Sequence, residues 1–433
     1  MTNIPLGFGT PSRRQVFARS LALGITLEFA GTQVFADPLA AKRKLVVIIC
    51  RGGQDGLSVS PPVGDSAYAA LRGPIAIPGC GETGGALKLD ETFGLHPALA
   101  ATHALALKGE ARIAPAIATP DRERSHFEAQ DVLENGGTVA YGAASGWLNR
   151  ALTAMNTRSG GPNSGVKAIS VAATAPLILR GPVETASWSP GGGAEPDHRL
   201  PGILQDLYAN DPVLGPALAT GLATQGMAKE ASAMVQSEMA AAPSEPDVMN
   251  GASPAPQAPR QGAADARKLG LTLAAFMTAP DGKQVAAVSV ENFDTHANQG
   301  SSQGQLATRL AYLDAFIDGL HTGLGPAWAD TVVVTATEFG RTARVNGTRG
   351  TDHGTASTAL VLGGGLSRGG IIGDWPTLAP ASLFENRDTA PTLDMRGLFK
   401  GVLRDHLGVD RAALDSLVFP ESSRIAPLSR ITA

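Results

Sequence analysis

Cysteine is scarce in this chain. The two residues, Cys50 and Cys80, allow at most one intramolecular bridge and no cysteine cluster for a redox centre. Cys50 ends an apolar run and reads as a core thiol. Aromatic residues make up 5% of the chain and charged residues 17%, and the formal net charge is −4. A nucleic-acid surface needs a basic excess, so that class of partner is excluded. At 43% apolar, the chain is too rich in core-forming residues to be disordered overall. Neither a dinucleotide-binding glycine fingerprint nor a haem motif is present. After the N-terminal region, no run reaches the roughly 18 apolar residues of a membrane span.

What is present begins with an N-terminal leader pattern. "PSRRQVF", Pro11 to Phe17, precedes a moderately apolar stretch ending at Val34-Phe35-Ala36. This resembles a bacterial twin-arginine export signal, which would make the twin-arginine translocase a partner and place the protein in the periplasm or outside the cell. Glu28 within the apolar stretch departs from that pattern. Residues 1–36 are read as the signal and residues 37–433 as one domain.

Six runs in that domain read as strands: "KLVVIIC" (44–50), "ARIAPAIAT" (111–119), "VKAISVA" (166–172), "QVAAVSV" (284–290), "TVVVTAT" (331–337) and "STALVLG" (357–363). Continuous apolar, β-branched runs are typical of parallel strands covered on both faces. Helical spacing separates several of them, most clearly at Leu306, Leu310, Leu313, Phe316, Ile317 and Leu320. The pattern predicts an α/β fold, with a mostly parallel central sheet and helices on both faces. Residues 202–280 are Ala-rich and read as a helical insertion, interrupted by a Pro, Ala and Ser-rich loop at 240–264.

In an α/β sheet, ligands bind outside the carboxyl ends of the strands. The polar clusters follow strands: Arg51 and Asp55 after the first; Arg124, Ser125 and His126 after the second; Asp294 and His296 in "ENFDTHANQG"; Glu338, Arg341, Asp352 and His353 in "TEFGRTARVNGTRGTDHG". Asp, Glu and His are ligands of divalent ions. Asp55, Asp294, His296, Glu338, Asp352 and His353 are therefore candidate ligands for a divalent metal ion such as Zn, Mn, Fe or Ca. "SHFE", Ser125 to Glu128, has the form of a capping box. The same position, at a helix N-terminus, suits a nucleophile. His126 is a candidate general acid or base, or a packed neighbour of that serine. Arg51, Arg124 and Arg341 are candidates to hold the oxygens of an anionic substrate.

The motifs "RGGQDGL", "RSHFEAQD", "GWLNR", "FDTHANQ", "TEFGRT", "NGTRGTDHG" and "GDWP" occur in this order. Together they resemble the bacterial family known as domain of unknown function 1501, from about residue 44 to about residue 410. That family in turn resembles the alkaline phosphatase, sulfatase and cofactor-independent phosphoglycerate mutase superfamily. The resemblance implies an alkaline-phosphatase-like fold, with Asp55, Asp294, His296 and His353 at metal positions and Ser125 at the nucleophile position. Phe339 stands where the superfamily has a ligand histidine, and no Cys-x-Pro-x-Arg follows the second strand. The resulting expectation is an exported metal-dependent hydrolase or transferase acting on phosphate or sulfate esters, either small molecules or envelope material. The alternative is a non-catalytic envelope binding protein on the same fold.

Overall fold

The computed structural model describes residues 42–157, 166–172, 175–189, 205–208, 211, 214–241, 258–280 and 282–432. The expected signal, residues 1–36, lies outside the described residues, as do residues 242–257 of the Pro-rich loop. Among the described residues, nine strands form one sheet: Lys44–Cys50 (β1), Ala111–Ala118 (β2), Ala168–Val171 (β3), Thr185–Trp188 (β4), Val285–Val290 (β5), Thr331–Ala336 (β6), Ser357–Leu362 (β7), Gly370–Ile371 (β8) and Leu393–Asp394 (β9). Six of these are the apolar runs expected from sequence. β4, β8 and β9 are short and carry no continuous apolar signal.

The strand order is β8-β2-β7-β6-β1-β5-β3-β4, with β9 also against β2. β1 is parallel to β5 and β6, and β3 is parallel to β4 and β5. β7 runs antiparallel to both β6 and β2. The sheet is therefore mixed and mostly parallel, and the fold is α/β.

Its main helices are Ala100–Leu107 (α1), His126–Asn135 (α2), Trp147–Thr157 (α3), Leu214–Ala241 (α4), Ala258–Thr278 (α5), Gln305–Leu324 (α6) and Met395–Asp405 (α7). They cover both faces, and β1 shows why the apolar runs are unbroken. Successive Cβ atoms of a strand point to opposite faces. Val46, Ile48 and Cys50 join Phe276 and Met277 of α5 and Leu310, Leu313 and Phe316 of α6 in one core. Leu45, Val47 and Ile49 join Leu148 and Leu152 of α3 and Leu398, Phe399 and Val402 of α7 in another. Each such side chain gains about 1.5–3 kcal/mol from leaving water, so both faces favour the strand. Cys50 is buried and free; burial and the nearby Glu338 charge push its thiol pKa up. Among the described residues, no helix is long and apolar enough to cross a membrane.

The reversal at β7 positions the site. β1, β5 and β6 point the same way, so residues 51, 291 and 337 leave the sheet at one edge. β7 enters from that same edge, because it is antiparallel to β6. The segment 337–356 therefore never crosses a face of the sheet. It stays on the rim, where the loop after β5 and the start of α2 also lie.

Candidate metal centre

Four side chains from three separate stretches converge on this rim. His126 is the first residue of α2. Its Nδ1–H donates to Glu338 Oε1 at 2.8 Å, and its Nε2 lies 3.4 Å from Asp294 Oδ2. Asp294 and His296 follow β5, with Asp294 Oδ1 at 2.9 Å from His296 Nε2. His353 Nε2 lies 3.0 Å from His296 Nε2 and 3.4 Å from Asp294 Oδ1. Its Nδ1–H donates to the Arg124 carbonyl at 2.9 Å. His126, Asp294 and His353 form a group able to hold a metal ion, with donor atoms within 4.8 Å of one another. These side chains are a quarter to a half exposed, so the group opens to solvent.

Two packing features hold the rings. Phe339, buried, lies beneath His126 and His353 with ring centroids 4.8 Å from each. Phe339 is thus an aromatic floor for two imidazoles. Gly53 lies against that floor. It adopts φ +64, and a Cβ there would sit 2.4 Å from the Phe339 ring, so only glycine fits.

Glu338 has no exposed surface. Its Oε1 accepts from Gly52 N at 2.8 Å, from His126 and from Gln130, and its Oε2 accepts from Thr337 Oγ1. Burial alone would raise its pKa; hydrogen bonds from His126, Gln130 and the backbone outweigh that and hold it below the usual carboxylate range. The bond to Glu338 in turn raises the His126 pKa, against its burial. Asp294 is also held low: burial opposes this, but the hydrogen bond and charge of Arg341, at 2.5 Å, prevail.

The other expected site residues stand apart from this group or behind it. Asp55 is buried and forms an ion pair with Arg72, while also accepting from Ser58 at 2.8 Å and Gln299 at 2.6 Å. Asp352 is exposed, accepts from Asn346 and lies 3.4 Å from His296 Nδ1. Ser125 is the N-cap of α2, yet its Oγ meets the Glu128 carboxylate rather than a helix N–H, so the capping-box bonds are not made.

The three arginines have partners of their own. Arg51 bonds Gln130 at 2.7 Å and Glu134 at 2.5 Å; Arg124 bonds Glu385 at 2.5 Å and Asp388 at 3.0 Å; Arg341 bonds the Gly53 and Thr351 carbonyls as well as Asp294. Arg124 adopts φ +57, uncommon for a non-glycine residue, and its carbonyl is the one that accepts from His353. Sequence reasoning missed Gln130, Gln299 and Asp388. The first two lie inside quoted motifs and were legible there, whereas Asp388 sits in a stretch with no pattern to mark it.

No curated protein matches the chain. Three solved structures overlap it loosely. The zinc complex of the C-terminal periplasmic domain of EcEptC from Escherichia coli is 10% identical, with a TM-score of 0.31, over 74% of this chain and 72% of that one. The lipoteichoic acid synthase LtaP from Listeria monocytogenes is 8% identical, with a TM-score of 0.36, over 90% and 77%. The phosphonate monoester hydrolase of Agrobacterium radiobacter is 11% identical, with a TM-score of 0.28, over 74% and 68%. Overlaps this loose carry nothing about activity. The motifs that line the rim, from the loop after β1 to the segment before β7, fall within a family match spanning residues 42–418, and the chain belongs to that family, described as Protein of unknown function (DUF1501).

Proposed function

We propose that the protein is an exported, metal-dependent hydrolase or transferase acting on a phosphate or sulfate ester. The convergence of three imidazoles and the Asp294 carboxylate at the strand carboxyl ends carries this reading. A divalent cation held there would supply Lewis acidity to an ester oxygen. The chain's own residues do the rest. Arg341 and Phe339 fix Asp294 and the rings, and Glu338 keeps His126 oriented. Ser125 is the proposed nucleophile. Its hydroxyl donates to Glu128, a carboxylate placed to take the proton, and the N-terminal dipole of α2 favours the alkoxide.

One observation favours the second reading, a non-catalytic envelope binding protein. Arg51, Arg124 and Arg341 all have carboxylate partners, which leaves these candidates for an anion clamp already engaged. The test is turnover of nitrophenyl phosphate, bis(nitrophenyl) phosphate and nitrophenyl sulfate by the metal-loaded protein, with Ser125→Ala as control. Turnover lost in the variant supports the enzyme. A metal-loaded protein that turns over none of the three favours the binding reading.

A further inference from the structure

We infer that the rim holds a single ion of the Zn, Fe or Co class, ligated by His126, Asp294, His296 and His353, and that His126 is a ligand rather than an acid or base. The inference shares with the proposed function only the premise that the site takes a metal. It adds that His126 is itself a ligand, how many ions are bound and of what kind.

The first observation is a regularity among the three rings. Each imidazole directs Nδ1 toward an outer oxygen. His126 meets Glu338 at 2.8 Å, His353 meets the Arg124 carbonyl at 2.9 Å, and His296 faces Asp352 at 3.4 Å. A carbonyl only accepts, so His353 carries its proton on Nδ1, and the Glu338 carboxylate imposes the same on His126; His296 has a carboxylate on each side, Asp352 at Nδ1 and Asp294 at Nε2. With Nδ1 so engaged, a neutral ring at His126 or His353 presents a bare Nε2. Metal-bound histidines characteristically have such an outer acceptor, which sets tautomer and ring angle. His126 Nε2 is buried and has no hydrogen-bond partner among the described residues.

The second observation is spacing. Nitrogen donors sit about 2.0–2.1 Å from zinc, so two donors of a tetrahedral site lie about 3.3 Å apart. The contacts of 2.9, 3.0 and 3.4 Å that join Asp294 Oδ1, His296 Nε2 and His353 Nε2 match such edges, and His126 Nε2 reaches the other oxygen of the same carboxylate, Oδ2, at 3.4 Å. Bare nitrogens and a carboxylate oxygen repel one another at that range, and a cation among them removes the repulsion.

The remaining acids are engaged elsewhere, which argues for one ion. Glu338 is saturated behind His126 by four donors. Asp55 belongs to Arg72, Ser58 and Gln299. Asp352 stands behind His296. Three imidazoles among four donors suit borderline metals such as Zn, Fe or Co, and disfavour Ca or Mg, which prefer oxygen.

The test is to strip the full-length protein with chelator, titrate it with Co(II), and record both visible absorption and bound metal by elemental mass spectrometry. The expected result is one ion per chain with a visible band from nitrogen and oxygen donors. His126→Asn keeps an amide donor for Glu338 but removes Nε2. It should weaken Co(II) binding by a hundredfold or more and alter the band, as should His353→Ala. Glu338→Gln should weaken binding 10–100-fold while retaining the band. His103→Ala, a histidine away from the site, should change neither. Circular dichroism confirms that each variant is folded; if His126→Asn is not, His296→Ala replaces it. Two ions per chain, no Co(II) or Zn(II) uptake by the folded protein, or an unchanged affinity and band in the ligand variants would overturn the inference. Ester turnover with two ions would sink this inference and leave the proposed function standing. One ion bound as described but no turnover would do the reverse.

Discussion

Phe339 shows how a residue's use can be set by the fold rather than by its place in a motif. From sequence, an aromatic where the resembled superfamily has a ligand implies a metal position that is weak, differently filled or lost. In the fold it lies under two imidazoles and against Gly53. Gly53→Ala is therefore expected to destabilise the protein by about 2 kcal/mol, through left-handed strain plus a clash with a buried ring. Urea midpoints would measure this, and Co(II) affinity should fall as well, because the rings shift with their floor. The acid residues illustrate the limit of sequence reasoning. That Asp294, His296 and His353 gather was legible, since each follows or precedes a strand at the same edge. The pairing of Asp55 with Arg72, and of His126 with Glu338 more than two hundred residues away, leaves no local trace.

Elements were read well where packing dictates pattern. α6 carries its apolar residues at helical spacing because one stripe meets the sheet, and β1 is apolar throughout because both faces are covered. β4 was missed because its half-buried "TASW" lacks that double covering. The start of α2 yields a stability prediction. Because the Ser125 hydroxyl bonds no helix N–H, Ser125→Ala should change unfolding free energy by less than about 0.5 kcal/mol, against about 1 kcal/mol for a working cap. A larger loss in urea denaturation would show that the serine caps the helix after all.

At the other end of the fold, His406 caps α7 and donates from Nε2 to the Lys44 carbonyl where β1 begins, at 2.8 Å. Burial lowers its pKa from 6.5 to about 4. Below pH 6.5 the unfolded chain takes up a proton that the folded chain resists until about pH 4. Its contribution is thus complete above the unfolded value and is lost as pH falls through that window, on the order of 3 kcal/mol. His406→Gln retains a donor for Lys44 and should flatten the acid limb of the stability profile measured between those limits.

The whole molecule joins these elements through one edge of one sheet. The proposed ligands come from the start of α2, the loop after β5 and the segment before β7, so a bound ion would link stretches that pack together only in the finished fold. Metal at about a hundred times its dissociation constant should add about 2.7 kcal/mol, and chelation should remove it. Differential scanning calorimetry with and without chelator reads this directly; a melting temperature indifferent to metal would show that the link does not form. The direction of β7 was the feature least visible in the sequence, because an apolar run does not state which way it points. Yet that direction keeps the segment 337–356 on the rim. The consequence concerns time. Donors at residues 126, 294 and 353 must wait for late, long-range closure of the chain, so a nascent chain has nothing with which to select an ion. Whichever ion is at hand when the sheet completes is the one captured, and the place of folding, rather than the place of work, would write the metal's identity into the protein.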